Sequence, residues 1–493
     1  MSIVVAGAGT AGWLAALHVK KEYPDIDIIV VYDDKIPIIG VGESTTPNFI
    51  GWINKYLDIP IKDLVKNCDV TLKYGIKFTN WKGDGSHYYH TFTGDNVENY
   101  FNALALGIQL DEVDISSTLA KNNKVSFPTK GVEIEENAYR DMNYALHFNA
   151  KLMAEYLQKV GMQRGIKTVV GKIEDTLLDS EGYVAELILD TKQRLKTDFV
   201  FDCTGFGRVF VDKVYKSPME SYEKILPVKR AMPFFLDKTE PTPPYTEATA
   251  MKYGWMWKIP VGNRYGCGYV FDSDLVTDEK AYEEICEVTG QKPHVPRKLT
   301  FKPGYHTKPM NKNTLALGLS HGFLEPLEAT SLLITIEMLR IMGETIPNGD
   351  LFNRYKRDEY TDDYNKTIMK YVKNCVNMVY IHYLTPRNDT EFWRNFKINT
   401  PNQINHILNK VNDYDVVKPN SLKFELPFSI NNFLKCMAGV DYINKETINR
   451  NSREHLYSKI RNKVEKYKYL VEKSVNHDEF LNDLTNNREI LYE

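Results

Sequence analysis

Apolar positions along the chain follow two periods. SIVVAGAG runs apolar without a break into glycines. TAGWLAALHVKKEY places Trp13, Leu14 and Leu17 on one helical face, and IDIIVVYDD is a second apolar run closing on acids. Unbroken apolar strands suit a parallel sheet buried on both faces, so the pattern predicts a βαβ opening. Residues 143–165 carry Leu146, Ala150, Met153 and Leu157 at helical spacing and read as one helix. IKTVVGKIEDTLLD, YVAELILD and LKTDFVFDCTG follow as strand-like pieces, more lie near 225–270, and NTLALGLSHG reads as a strand ending in glycine. From about 322 onward the pattern is mostly helical. Leu456, Ile460, Val464, Tyr467 and Val471 form one stripe, read as an ordinary surface helix. PTPPY at 241–245 reads as a loop apex.

Composition narrows this reading. The 493 residues are 43% hydrophobic and 26% charged, with a formal net charge of −3, so no global field favours nucleic acid or an anionic membrane. The apolar runs are far shorter than the ~20 residues that span a bilayer. No charged n-region precedes the first apolar run, so no signal peptide is expected. The six cysteines, Cys68, Cys203, Cys267, Cys286, Cys375 and Cys436, contain no C-x-x-C pair. They fit free thiols in a reducing cytoplasm, not a disulfide framework or zinc site.

Gly7, Gly9 and Gly12 spell G-x-G-x-x-G. Alone the motif is weak, but here it follows an apolar strand and opens a helix. Gly7 permits the tight turn, Gly9 lets backbone approach a pyrophosphate, and Gly12 permits close helix–sheet packing. Asp33 and Asp34 lie about 20 residues on, where a ribose-binding acid belongs. No second such motif follows a strand, so one dinucleotide is expected.

IGVGESTTPN (39–48), YGIKFTNWKG (74–83), GWMWKIP (254–260) and LGLSHGFLEPLEAT (317–330) join GAGTAGW (7–13) in an order that resembles the flavin-dependent halogenases of the tryptophan halogenase type. YALHFNAKLMAEYL, DFVFDCTG and DTEFWRNF are similar to family segments too, so the resemblance covers roughly residues 1–400. It implies an α/β fold: a Rossmann-like FAD/NAD(P)-binding domain of the flavin monooxygenase type, over about 1–345 with substrate-side insertions near 85–140. A mainly helical substrate-binding region follows over 346–493, the two interleaved. It also implies a chemistry. A separate reductase supplies FADH2, which reacts with O2 and a halide ion to give hypohalous acid. The acid travels through a tunnel to a small electron-rich aromatic substrate.

The resemblance distributes roles. Lys77 is the expected catalytic amine, holding hypohalous acid by hydrogen bonds or as a haloamine. Glu328 is the expected catalytic carboxylate, with Glu325 its local rival or a structural hydrogen-bond partner. FAD contacts fall on Gly7, Gly9, Thr10, Ala11, Gly12, Asp33, the loop Gly42, Glu43 and Ser44, and on Val170, Leu319 and Leu332. Halide contacts fall on Thr330 and Ser331. The family usually has S-T-G after the glutamate where this chain has Ala329-Thr330-Ser331, a change expected to alter the local backbone and the halide pocket. His90 and Phe92 are expected on the substrate side. Trp255, Trp257, Ile259 and Pro260 are expected to wall organic substrate from the flavin. The H-x-x-H of 87–90 lacks a third ligand, so no metal is expected. Partners are then the reductase and the substrate, with no nucleic acid or membrane; self-association into a homo-oligomer is open. Two other readings stand beside this one: a single-component FAD-dependent aromatic hydroxylase, and a non-catalytic flavin-binding redox protein.

Overall fold

The unbroken apolar runs form a parallel sheet. The computed structural model describes all residues except 37–39, 41, 93–96, 136–137, 140–141, 348, 397–401, 415–426 and 487–493. Strands Ser2–Ala6, Asp27–Tyr32, Lys167–Val170, Phe199–Asp202 and Thr314–Ala316 lie parallel, with Met310–Asn311 antiparallel at one edge. Ile3 through Ala6 and Phe199 through Phe201 are fully buried, as a sheet covered on both faces requires. Helix Thr10–Glu22 follows the first strand and buries Trp13, Leu14 and Leu17.

Residues 143–165 are not one helix. Ala145–Phe148 is a strand, every residue buried, pairing with Thr71–Lys73 on one side and Glu43–Ser44 on the other. Asn149 then caps helix Ala150–Gln163, its side chain accepting from the backbone of Lys151 and Leu152. Leu146 matched the helical spacing by coincidence. PTPPY is a loop, as expected, but one packed into the fold. Thr242 is buried and bonded to Asp478, and Pro244 accepts from the Tyr74 N–H. The C-terminal stripe forms helix Tyr457–Lys473, whose Ile460, Val464 and Tyr467 bury against Tyr100, Val113, Ile115 and Leu119. Strand Ser474–Asn476 pairs with Lys124–Pro128, so the C-terminal helices are stitched into the first half of the chain.

A second sheet of seven strands builds the site. Its order is Leu299–Thr300, Arg230–Asp237, Arg264–Phe271, Gly254–Val261, Thr246–Ala250, Gly75–Thr79, His87–Thr91. The register opposes Trp255 to Ala250, Trp257 to Ala248, Ala248 to Phe78, Phe78 to Tyr88 and Ile76 to His90. Side chains directly opposite share a face. One face of this sheet therefore carries both tryptophans at one end and Ile76, Phe78, Tyr88 and His90 at the other. Lys77 opposes Glu247 and Tyr89, and these share the other face.

The Trp257 ring lies flat over Gly268, where an added Cβ would come within 2.1 Å of ring carbons. Gly268→Ala is expected to destabilise the fold by about 1–3 kcal/mol through overpacking. Denaturant unfolding checks this, and adding Trp257→Leu should recover most of the loss.

Candidate active site

The strand-to-helix turn after Ala6 depends on two close approaches. A Cβ on Gly7, which holds φ 117°, would sit 2.1 Å from the Cys203 carbonyl oxygen, and one on Gly12 would sit 1.9 Å from that of Gly7. A Cβ on Gly9 would meet nothing within 4 Å, which leaves its backbone open to an approaching phosphate. The turn faces a cavity of about 1060 Å³. Gly7, Gly9, Thr10, Ala11 and Asp33 line it, with Gly171, Lys172 and Ile173 from the next loop. Gly42, Glu43, Ser44, Trp255, Trp257, Ile259, Leu319, Thr330, Ser331 and Leu332 line it as well. This volume is at the upper end of small-molecule sites, and an anion-binding helix start beside an aromatic wall fits a dinucleotide such as FAD. Two expectations need correction. Val170 is half exposed at the end of its strand, and the cavity wall there is Gly171–Ile173. Pro260 lies outside the wall, its carbonyl accepting from Thr71 Oγ1.

The two tryptophans are held differently. Trp255 is buried, and its indole N–H donates to Glu325 Oε1 at 3.0 Å. Trp257 is half-buried with its ring centroid 6.2 Å away at 61°. Helix Thr330–Thr345 begins at the same wall, with Ala329 before it in the left-handed region at φ 54°. Residue 331 is helical, so no glycine is required there; the unusual backbone conformation lies at Ala329. The first-turn N–H groups of Thr330 and Ser331 have no carbonyl within the helix to bond, and the helix dipole favours an anion beside them.

Glu325 and Glu328 stand three residues apart in opposite electrostatic states. Glu325 lines the cavity; its Oε1 accepts from Trp255 and from the Tyr383 hydroxyl at 2.6 Å. Burial outweighs these bonds and raises its pKa to about 8. Glu325 is thus the hydrogen-bond partner of the wall. Glu328 is turned away from the cavity and fully buried. Burial alone would raise its pKa, but His90 and His382 reverse the effect and lower it to about 2. His90 Nδ1 lies 2.9 Å from both carboxylate oxygens and His382 Nε2 lies 2.6 Å from Oε1. Adjacent carboxyls whose environments drive them apart mark an acid–base site. His90 therefore belongs to the carboxylate cluster.

The buried lysine that feels the Glu328 charge is Lys73, not Lys77. Lys77 lies on the opposite sheet face, half-buried, its Nζ 5.7 Å from the Tyr245 ring centroid. Lys73 is fully buried; its Nζ donates to the Thr45 carbonyl at 2.8 Å and stands 4.9 Å from the Phe92 ring centroid. Burial lowers its pKa to about 7, and the nearby Glu328 charge opposes that fall. Sequence reasoning missed Lys73 because it falls just before the 74–83 motif that carried the resemblance, and the chain changes sheets at Tyr74. Strand Thr71–Lys73 pairs with Ala145–Phe148, so alternation within Gly75–Thr79 says nothing about its direction.

Also missed were His382, Tyr88, Asn432 and Cys436, which surround Glu328. His90, Glu328, His382 and Cys436 offer donor atoms within 4.8 Å of one another. The imidazole–carboxylate distances of 2.6 and 2.9 Å are hydrogen-bond lengths, so protons bridge these groups. His87 stands apart, exposed, 3.6 Å from Asp111.

The depressed Lys73 pKa has a stability consequence. Between about 7 and the ordinary value of 10.5 the unfolded chain binds a proton there that the folded chain does not, so stability rises with pH across that window. Lys73→Met is expected to stabilise the fold at about pH 7 and to lose that advantage by about pH 10. Urea midpoints at both values check the sign.

Comparisons with known proteins agree with this geometry. The family model described as tryptophan halogenase matches residues 2–453. The tryptophan 7-halogenase RebH of Lentzea aerocolonigenes is 28% identical over 421 residues, covering 80% of this chain and 78% of RebH. The tryptophan 6-halogenase SttH of Streptomyces toxytricini is 27% identical over 426 residues, covering 80% of each. Among solved structures, the flavin-dependent halogenase Xcc4156 of Xanthomonas campestris superposes with a TM-score of 0.85 at 25% identity, covering 98% of both chains. With a family match across nine-tenths of its length, a dinucleotide cavity and a buried Glu328–histidine cluster behind it, this chain belongs to the tryptophan halogenase family.

Proposed function

We propose that this chain is a two-component halogenase of electron-rich aromatic rings, in which a separate reductase supplies FADH2 and Lys73 takes the role first assigned to Lys77. One observation carries the reading: segment 325–332 lines the FAD cavity, while Glu328 within it is buried outside that lining, near enough for its charge to act on the buried Lys73. Bound reduced FAD supplies the oxidant, turning O2 and halide into hypohalous acid. Everything else falls to the protein.

Gly7–Ala11 and Asp33 hold the dinucleotide, and the loop Gly42–Ser44 closes on it. The N–H groups of Thr330 and Ser331 hold the halide. Trp255 and Trp257 form a stiff wall that admits small ions and hypohalous acid and excludes an aromatic ring, so direct ring oxygenation is blocked. At the far side Lys73 receives the hypohalous acid. A lowered pKa leaves a substantial neutral fraction at pH 7. A neutral amine can hydrogen-bond the acid, or form an N–halogen bond as water leaves. Ring attack on the halogen produces a cation. Glu328, an anion at any ordinary pH, stabilises that cation and takes the displaced ring proton. Phe92 packs beside the amine, where it shapes the space for the ring.

The test supplies FAD, NADH, an unrelated flavin reductase and an indole or phenol, with each halide in turn and mass-spectrometric detection. Halide-dependent product is expected. Lys73→Met should reduce it at least about 10²-fold while FAD affinity is unchanged, and Lys77→Met should keep most of it. Product without halide would favour the aromatic hydroxylase, and the reverse behaviour of the two lysines would overturn the assignment. Trp255→Ala/Trp257→Ala should divert turnover to ring hydroxylation; full halogenation with no hydroxylated product would contradict the wall.

A further inference from the structure

We infer that Asn432 is a positioning residue that fixes His90 as its neutral Nδ1–H tautomer, and so aims that N–H at the carboxylate of Glu328, the proposed proton acceptor. The inference rests on the proposed role of Glu328. It begins at a helix start. Helix Ile430–Gly439 opens at Ser429, and the Asn432 side chain reaches back one turn. Asn432 Oδ1 accepts from the Ser429 backbone N–H and hydroxyl, both at 2.9 Å. A backbone N–H can only donate, so these bonds settle which end of the amide is oxygen. The other end, Nδ2, faces His90 Nε2 at 3.0 Å and must donate. Nε2 therefore presents a lone pair, and the His90 proton sits on Nδ1, aimed at both Glu328 oxygens.

The second histidine is fixed in the same sense. Tyr88 OH lies 2.8 Å from His382 Nδ1, and burial, which lowers the His382 pKa, favours a neutral ring whose Nδ1 accepts from the phenol. His382 Nε2–H then points at Glu328 Oε1. With both imidazoles neutral, the charge part of their effect on Glu328 falls away and two N–H bonds steady the carboxylate. The carboxylate keeps its full charge for a cation that arrives later, which is the substituted ring. An imidazolium at either position would neutralise it in advance.

Asn432→Asp separates this role from helix capping. An aspartate still accepts from the Ser429 N–H, so the cap survives, but it presents an acceptor to His90 Nε2. His90 must then carry protons on both nitrogens. Long-range nitrogen–proton NMR of histidine-labelled apoprotein reads this directly, with His90 signals identified by their loss in His90→Gln. Wild type is expected to show His90 protonated on Nδ1 alone, and Asn432→Asp on both. Halogenation by Asn432→Asp should show kcat reduced about 10-fold or more with KM for the aromatic substrate within about twofold, and an unchanged unfolding midpoint. A wild-type His90 protonated on Nε2 or on both nitrogens would overturn the inference even if the variant did not fold. A variant with altered protonation and undiminished kcat would overturn the catalytic part. The protonation result does not depend on whether wild type halogenates, which the reductase-coupled assay decides separately; the kcat comparison follows once that assay shows halogenation.

Discussion

A buried negative charge organises this molecule. Glu328 has no exposure to solvent, and an unpaired carboxylate in such a place would protonate. Two imidazoles reach it from different parts of the chain, and their charge and hydrogen bonds together hold its pKa down. His90 comes from a strand of the antiparallel sheet and His382 from just past the long helix Arg354–Ile381. Each imidazole is itself held from behind, by Asn432 and by Tyr88. Strand register, helix termination and a helix cap must all be correct for one charge to survive. That is why the cluster is built from segments some 340 residues apart in sequence (His90 and Asn432 are separated by 342).

The same constraint explains the two carboxyls of LEPLE. Glu325 and Glu328 are equally buried, yet their pKa values separate to about 8 and about 2. The difference comes from the partners. Glu325 receives an indole N–H and a phenol O–H on one oxygen, bonds too weak to offset burial, and so joins the wall as a neutral acid. Glu328 has two imidazoles beside it, which add charge to their hydrogen bonds. Under the proposed function, a neutral carboxyl beside the cavity avoids repelling halide, and a carboxylate at Glu328 attracts a developing cation. Three residues of chain thus divide the site into halves of opposite electrostatic demand.

Much of this was legible in the sequence. The apolar run into G-x-G-x-x-G located the dinucleotide turn because glycine is the only residue its close approaches allow. W-x-W located the wall because alternation puts both rings on one face. The resemblance pointed to Lys77 because Lys73 falls just before the 74–83 motif; the two lie four apart but in different sheets, as the pairing of Thr71–Lys73 with Ala145–Phe148 reveals. His382 and Asn432 carried no local signal, since a lone histidine at a helix end and an asparagine in a first turn are ordinary. Residues 143–165 misled for a related reason: a fully buried strand running into a capped helix mimics one long apolar stripe.

The charge on Glu328 can be measured directly. Infrared difference spectra between wild type and Glu328→Gln, taken on apoprotein in D2O from neutral pH down to about pH 4, isolate the band of this one group. The account predicts a carboxylate stretch that persists across the whole range. A protonated-carboxyl C=O band for Glu328 at neutral pH would contradict it, because a neutral acid there can neither steady a cationic ring nor take its proton.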